Sequence, residues 1–237
     1  DDTIIGWKEN FNLSFMDVIP SQKAAALYLD MAAKYSDGPI YVTGHSKGGN
    51  LSVYGATYCG DAAKSRIVRV WSNDGPGFAN GLPESEAYLN MKPRIRTLIP
   101  QSSVVGMLLE HDKNYTVVKS RQAGVLQHNG LTWEVQGNHF VHMKNVSGEC
   151  VRTDRNLQDW IRGMSPEQRK QFSEAIYQIL SADNALTLTQ LVSPKNRWLL
   201  ESLKLDPEVR KTIRKTLREL LGINDKNLLA GLAPKEE

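Results

Sequence analysis

Residues 40–56 read IYVTGHSKGGNLSVYGA, and this stretch decides the fold. Ile40-Tyr41-Val42-Thr43 is rich in β-branched and aromatic side chains, which suit a pleated strand. NLSVYGATYC, residues 50–59, reads as a helix. Between them stands Gly44-His45-Ser46-Lys47-Gly48-Gly49, so the spacing predicts strand, tight turn and helix, with Ser46 on the turn. A serine exposed at such a turn needs a strained backbone. Small residues two positions either side, Gly44 and Gly48, are expected to let the turn close. The helix behind the turn aims its positive end at the site, which makes the Lys47 N–H a candidate donor to a developing oxyanion.

Working outward, Thr3 to Ile5 reads as the tail of a strand passing through Gly6 into a polar and aromatic loop. Ser21 is the expected N-cap of a helix whose apolar face carries Ala24, Leu27, Tyr28, Met31 and Ala32, ending near Ser36-Asp37-Gly38. Downstream, residues 66–71 (RIVRVW), 94–99 (RIRTLI) and 115–119 (YTVVK) are short β-prone runs separated by helix-sized or loop segments. That alternation predicts an α/β architecture, a mostly parallel sheet flanked by helices. Residues 132–136 and 140–144 are expected to form a hairpin or edge near the substrate side.

The character of the chain changes past residue 153, so the expected division is a core over 1–153 and a helical region over 154–237. Ser165 and Pro166 mark one helix start; Asp206, Pro207 and a closing Gly222 mark another. Between Lys204 and Arg218 lie six basic and two acidic residues, with Val209, Ile213, Leu217 and Leu220 on one face. A solvated helix packed on its apolar stripe explains this pattern, and a peripheral membrane or protein contact is the alternative. The tail after Asp225 reads as flexible.

Composition bounds the function class. The 237 residues are 41% hydrophobic and 23% charged, an ordinary globular balance. Lys and Arg number 29 against 26 Asp and Glu; a net charge of +3 announces no nucleic-acid partner. No apolar run approaches the roughly 20 residues of a membrane-spanning helix. Cys59 and Cys150 stand far apart without metal-ligand spacing, so neither a disulfide framework nor zinc is expected, and a cytoplasmic setting fits. The chain opens on Asp1 in mid-phrase, which raises the expectation of preceding strands outside this sequence.

With those residues in place, GHSKGGN resembles the serine turn of lipase-like α/β-hydrolases, nearest to the class 3 lipases with their GHSxGG motif. It resembles still more closely a bacterial branch of lipase-like proteins with lysine after the serine. DDTIIGWKENF at the start and VWSNDGPGF at residues 70–78 are similar to flanking pieces of those lipases, so the resemblance spans roughly residues 1–145. It implies an α/β-hydrolase fold, with the helical C-terminal extension lying outside the resemblance, and a triad in chain order Ser, acid, His.

Serine needs a base, itself oriented by an acid. Of the five histidines, His45 is expected to be structural and to point away from the serine's side of the turn. His111 reads as a surface or loop residue. His139 and His142, an HxxH in a strand-like setting, are expected on opposite faces with no metal between them. His128, in the loop QAGVLQHNGLTW after the last central strand, is where this fold places its base.

The acid departs from the class 3 pattern, which has an aspartate just after the strand matching RIRTLI. Here Ser103 stands at the matching position, a candidate substitute able to accept a hydrogen bond from imidazole but carrying no charge. Asp74, at the end of the preceding strand, is the nearest usable carboxylate; its alternative role is a turn residue before Gly75-Pro76. The second oxyanion donor would fall just before Asp1.

The expected function is a serine hydrolase cleaving a carboxylic ester, an acyl or lipid small molecule, through an acyl-enzyme on Ser46, His128 and Asp74, with no metal and no organic cofactor. A peptidase or thioesterase would share the machinery. The alternative from another class is a catalytically impaired binding or regulatory protein on the same frame. Trp7, Phe11, Phe15, Met16, Met107 and Leu108 either line an acyl pocket or fill core.

Overall fold

The computed structural model describes residues 3–181 apart from 80, 111, 149, 153–154, 156–157 and 160–162, together with residue 207. Contacts divide the chain into two units, residues 16–155 and residues 1–15 with 156–237.

In the 16–155 unit, four strands run parallel in chain order: β1 (Ile40–His45), β2 (Ile67–Asn73), β3 (Ile95–Pro100) and β4 (Tyr115–Val118). A two-residue strand after them, His142–Met143, pairs antiparallel with β4 and completes a five-stranded sheet. Ahead of it in the chain, β5 (Val135–Gln136) and β6 (His139–Phe140) form a separate antiparallel ribbon, so the edge strand is β7. The expected single strand over 140–144 is thus two pieces broken at Val141, whose backbone bonds to Lys119 and Glu134 instead. The architecture is α/β, a mostly parallel mixed sheet with flanking helices.

Register positions the site. His45 pairs with Asn73, and Asn73 pairs with Leu98, so the residues that leave β1 and β2, Ser46 and Asp74, emerge at one level of the sheet.

Helix α3 (Lys47–Tyr58) packs on β1 and β2, with Val53, Ala56 and Cys59 buried against Ile67, Val70 and Ile95. On α3 lies α2 (Pro20–Tyr35). The start of α2 corrects the sequence reading: Pro20, not a residue after Ser21, occupies the first turn, where its missing N–H costs nothing. The Ile19 N–H donates to Gln22 Oε1 at 3.0 Å in place of a serine cap.

The buried face of α2 is also not the expected one. Leu27, Tyr28, Met31 and Tyr35 are exposed, while Gln22 and Leu29 are buried. The reason lies in α3: a Cβ on Gly55 would come within 3.1–3.3 Å of Ala25 backbone and side-chain atoms, so the helices approach closely only through a small face. Steric fit thus selected a smaller face than the one the apolar spacing predicts. The C-terminus of α2 is tied down by Arg66, whose guanidinium donates to Ala33 O at 2.8 Å and Gly38 O at 2.6 Å. Short helices α4 (Asp61–Lys64) and α5 (Glu86–Met91) complete the covering.

In the other unit, Thr3 to Ile5 is helical rather than a strand tail. Thr3 Oγ1 caps α1 (Ile4–Asn12) by accepting from Gly6 N–H at 3.0 Å, a local bond that outweighs β-branched propensity. The helix expected at Pro166 is α6 (Pro166–Ser181). Ser165 and Gln168 bond reciprocally at its start, 3.2 and 2.8 Å, a capping box. Phe11 meets Phe172 edge-on at 5.9 Å, and Ser173 Oγ donates to Asn12 Oδ1 at 3.0 Å. The basic helix expected over 204–218 and the tail lie outside the described residues, Pro207 excepted. Among the described residues no helix is long and apolar enough to cross a membrane.

Candidate functional site

Ser46 adopts φ 58°, ψ −132°, a backbone conformation that non-glycine residues rarely hold. Such a residue costs on the order of 1–3 kcal/mol and persists only where its surroundings fix it. Here its N–H donates to Asn73 O at 3.0 Å and its C=O accepts from Gly49 N–H at 2.8 Å. The turn is thus bonded to the adjacent strand on one side and to α3 on the other.

The glycines divide unequally. A Cβ on Gly44 would lie 2.0 Å from Gly48 O, so Gly44 is obligatory. A Cβ on Gly48 would meet nothing within 4 Å, so the turn does not need the lack of a side chain there. The expectation of a symmetric steric need therefore gives way to one centred on Gly44, Gly49 and Gly75. A Cβ on Gly49 would meet Ser72 Oγ at 2.6 Å, and one on Gly75 would meet Gly49 Cα at 2.9 Å.

Asp74 also has positive φ, 50°, tolerable for an aspartate, and is fully buried. Its N–H donates to Leu98 O at 2.7 Å. The carboxylate turns toward His128, with Oδ2 2.8 Å from Nδ1. Its other oxygen, Oδ1, accepts from Ser103 Oγ and from Gly106 N–H, the latter at 3.1 Å. An ionised carboxylate only accepts, so this contact puts a proton on His128 Nδ1, and in the neutral ring Nε2 is then the acceptor.

His128 ends a 3-10 turn, Gly124–His128, that is pinned on both sides. Buried Gln127 accepts at Oε1 from Ser102 N–H at 3.0 Å, and its carbonyl accepts from Trp133 Nε1–H at 2.8 Å. His45 does not point away from this region. Its ring lies 4.5 Å from that of His128, and its Nε2 donates to the His128 carbonyl at 2.6 Å. The contact comes from the His128 loop folding over the end of β1, which alternation along the strand does not predict.

The structure brings Asp74 and His128 into direct contact; Ser46 is bonded through its N–H to Asn73, the residue before Asp74, and follows His45, whose ring lies near that of His128. Lys47 is the first residue of α3, so its N–H stands at the positive end of a 12-residue helix. Ser103 meets the carboxylate of Asp74, a different contact from the imidazole bond expected of it. His139 and His142 are not on opposite faces: their rings approach to 6.3 Å, because the break at Val141 reverses the alternation. Among the described residues no group of three or more His, Cys, Asp or Glu could hold a metal.

Thr43, His45, Trp71 and Asn73, alternate residues of β1 and β2, line a cleft of about 720 Å³ together with Trp133 and Phe140. None of the residues proposed from sequence for an acyl pocket lines it; Met107, for one, packs in core with Ile99 and Val117.

Sequence reasoning missed Asn50, Gly106 and Gln127. Asn50 sits inside the motif itself. Its Oδ1 accepts from Gln22 Nε2 at 2.8 Å and its Nδ2 donates to Gly77 O at 2.7 Å, so it joins α2, α3 and the Gly-Pro-Gly turn. An asparagine on the inward face of a helix was the available signal. Gly106 and Gln127 carried none, since their partners are distant in sequence.

A family model described as Mbeg1-like matches residues 1–178. Comparison with curated proteins finds no match, and comparison with solved structures finds none either. The match covers well over half of the sequence, and the chain belongs to the Mbeg1-like family, a lipase-like family.

Proposed function

We propose that the protein is a serine hydrolase that cleaves carboxylic esters through an acyl-enzyme, with Ser46 as nucleophile, His128 as base and Asp74 as acid. The observation that carries it is the 2.8 Å bond between His128 Nδ1 and buried Asp74, and the positive φ of Ser46 between strand and helix supports it. That bond orients the imidazole and, in the neutral ring, selects the tautomer whose Nε2 can accept a proton, as a general base must.

In this mechanism Ser46 Oγ attacks the ester carbonyl while His128 Nε2 takes its proton. Negative charge develops on the carbonyl oxygen, where the Lys47 N–H at the end of α3 stabilises it. Collapse expels the alcohol, protonated by His128. Water then attacks the acyl-serine, giving its proton to His128, and the carboxylic acid leaves as Ser46 regains its hydroxyl. Asp74 stays ionised and stabilises the imidazolium in both halves.

The test is intact-mass labelling with a fluorophosphonate. One adduct per chain, lost in Ser46→Ala, is the expected result. An unlabelled wild-type chain that is folded would turn the reading to a binding protein on the same frame.

A further inference from the structure

We infer that Ser103 is a positioning residue that acts through Asp74: its hydroxyl, with the Gly106 N–H, holds one carboxylate oxygen so that the other is presented to His128. The inference rests on the triad reading above and adds a member to it.

The arrangement has the form of a socket. Asp74 is 0% and Ser103 1% exposed, so neither draws on water. The Ser103 hydroxyl faces a carboxylate, which can only accept, and therefore donates its proton to Oδ1. The Ser103 oxygen in turn accepts from Gly106 N–H at 3.0 Å, and the same N–H reaches Oδ1 at 3.1 Å. The three groups close a ring in which each donor is committed. Cooperative polarisation along such a chain strengthens the bond to the carboxylate.

The local backbone is built around that ring. Ser103 N–H donates to Pro100 O at 3.1 Å, and the Ser103 carbonyl accepts from Cys150 Sγ at 3.1 Å, which fixes the serine at both ends of its peptide. Gly106 has no alternative residue: a Cβ there would stand 2.5 Å from Asp74 Oδ1, 2.8 Å from Ile99 Cγ2 and 2.9 Å from Ser103 Oγ. A carboxylate held only by His128 would be free to turn about its Cβ–Cγ bond. With Oδ1 pinned, Oδ2 has one direction left, toward Nδ1.

A purely structural serine would stabilise the turn whether or not Asp74 carries charge, so the two roles separate in a double-mutant cycle. The first readout is the fluorophosphonate labelling rate of Ser46 in the wild-type chain, Ser103→Ala, Asp74→Asn and the double variant. Ser103→Ala is expected to slow labelling roughly 10- to 100-fold with Asp74 present, and to have no further effect in the Asp74→Asn background. Equal losses in both backgrounds would overturn the inference. Ser103→Cys, similar in size and a weak donor, supplies the comparison should the alanine variant not fold; its labelling is expected between the two.

The second readout needs no activity: the NMR resonance of the His128 Nδ1 proton in histidine-labelled protein. Ser103→Ala is expected to move it, because the hydrogen bond to Oδ2 changes, and an unmoved resonance would refute the inference. A wild-type chain that never labels, but whose resonance still answers to Ser103, would sink the hydrolase reading and leave the Ser103–Asp74–His128 linkage standing.

Discussion

A carbonyl oxygen cannot donate, so the 2.6 Å contact between His45 Nε2 and the His128 carbonyl assigns the His45 proton to Nε2. His45 is exposed, yet it is bonded to the backbone of the proposed base, and its ring lies tilted against the base's ring. Removing it should loosen the His128 loop without touching the core. His45→Ala is expected to slow labelling of Ser46 about tenfold, while its free energy of urea unfolding stays within about 0.5 kcal/mol of the wild-type value. His45→Phe, which keeps a ring and loses the donor, should resemble the alanine variant. Wild-type kinetics in His45→Phe would mean that ring packing, rather than the hydrogen bond, places the loop. The proposed triad drew on local signals in the sequence: a turn motif at Ser46, a strand end at Asp74, a loop in the right chain order at His128. The contacts of His45, Ser103 and Gly106 were not legible there, because each is decided by a loop that returns from tens of residues away.

The same distinction operates on elements. Strands β1 to β4 were visible as short β-branched runs, and α3 followed from its position behind the turn. The sequence reading picks the wrong face of α2, Leu27-Tyr28-Met31, although Gln22-Ala25-Leu29 also recurs at helical spacing. The outcome depended on Gly55 across the interface and on Asn50, a polar residue 1% exposed with partners on both sides. Asn50 holds Gln22 of α2 and the carbonyl of Gly77, after the turn that carries Asp74. Asn50→Ala would strand a buried amide donor on Gln22 and a carbonyl on Gly77. Each such orphan costs roughly 1–3 kcal/mol, so a loss of about 3 kcal/mol in urea unfolding is expected, with an unchanged m-value. A loss within 0.5 kcal/mol would show that water replaces the asparagine and that the motif's last residue is dispensable for packing.

At the scale of the whole molecule, stability should answer to alkaline pH through its buried phenols. Tyr88, 4% exposed in the core with Met91 and Ile95, has its pKa pushed from 10.0 to about 12, first because burial disfavours the phenolate and second because the charge of Asp112 repels it. The sign follows from linkage. Above its ordinary pKa the unfolded chain releases the Tyr88 proton while the native state keeps it, so ionisation favours unfolding. The contribution is whole below pH 10 and is lost as pH rises to about 12. Tyr54, raised by burial and by the charge of Tyr58, and Cys59, raised by burial first and by the charge of Asp30 next, push the same way. Stability measured by urea unfolding should therefore fall across that interval in the wild-type chain and fall less steeply in Tyr88→Phe. The difference between the two proteins should be small and constant below pH 10 and widen above it. Parallel curves through the whole interval would mean that Tyr88 ionises as readily folded as unfolded, and that the centre formed by α3, α5 and the sheet admits water.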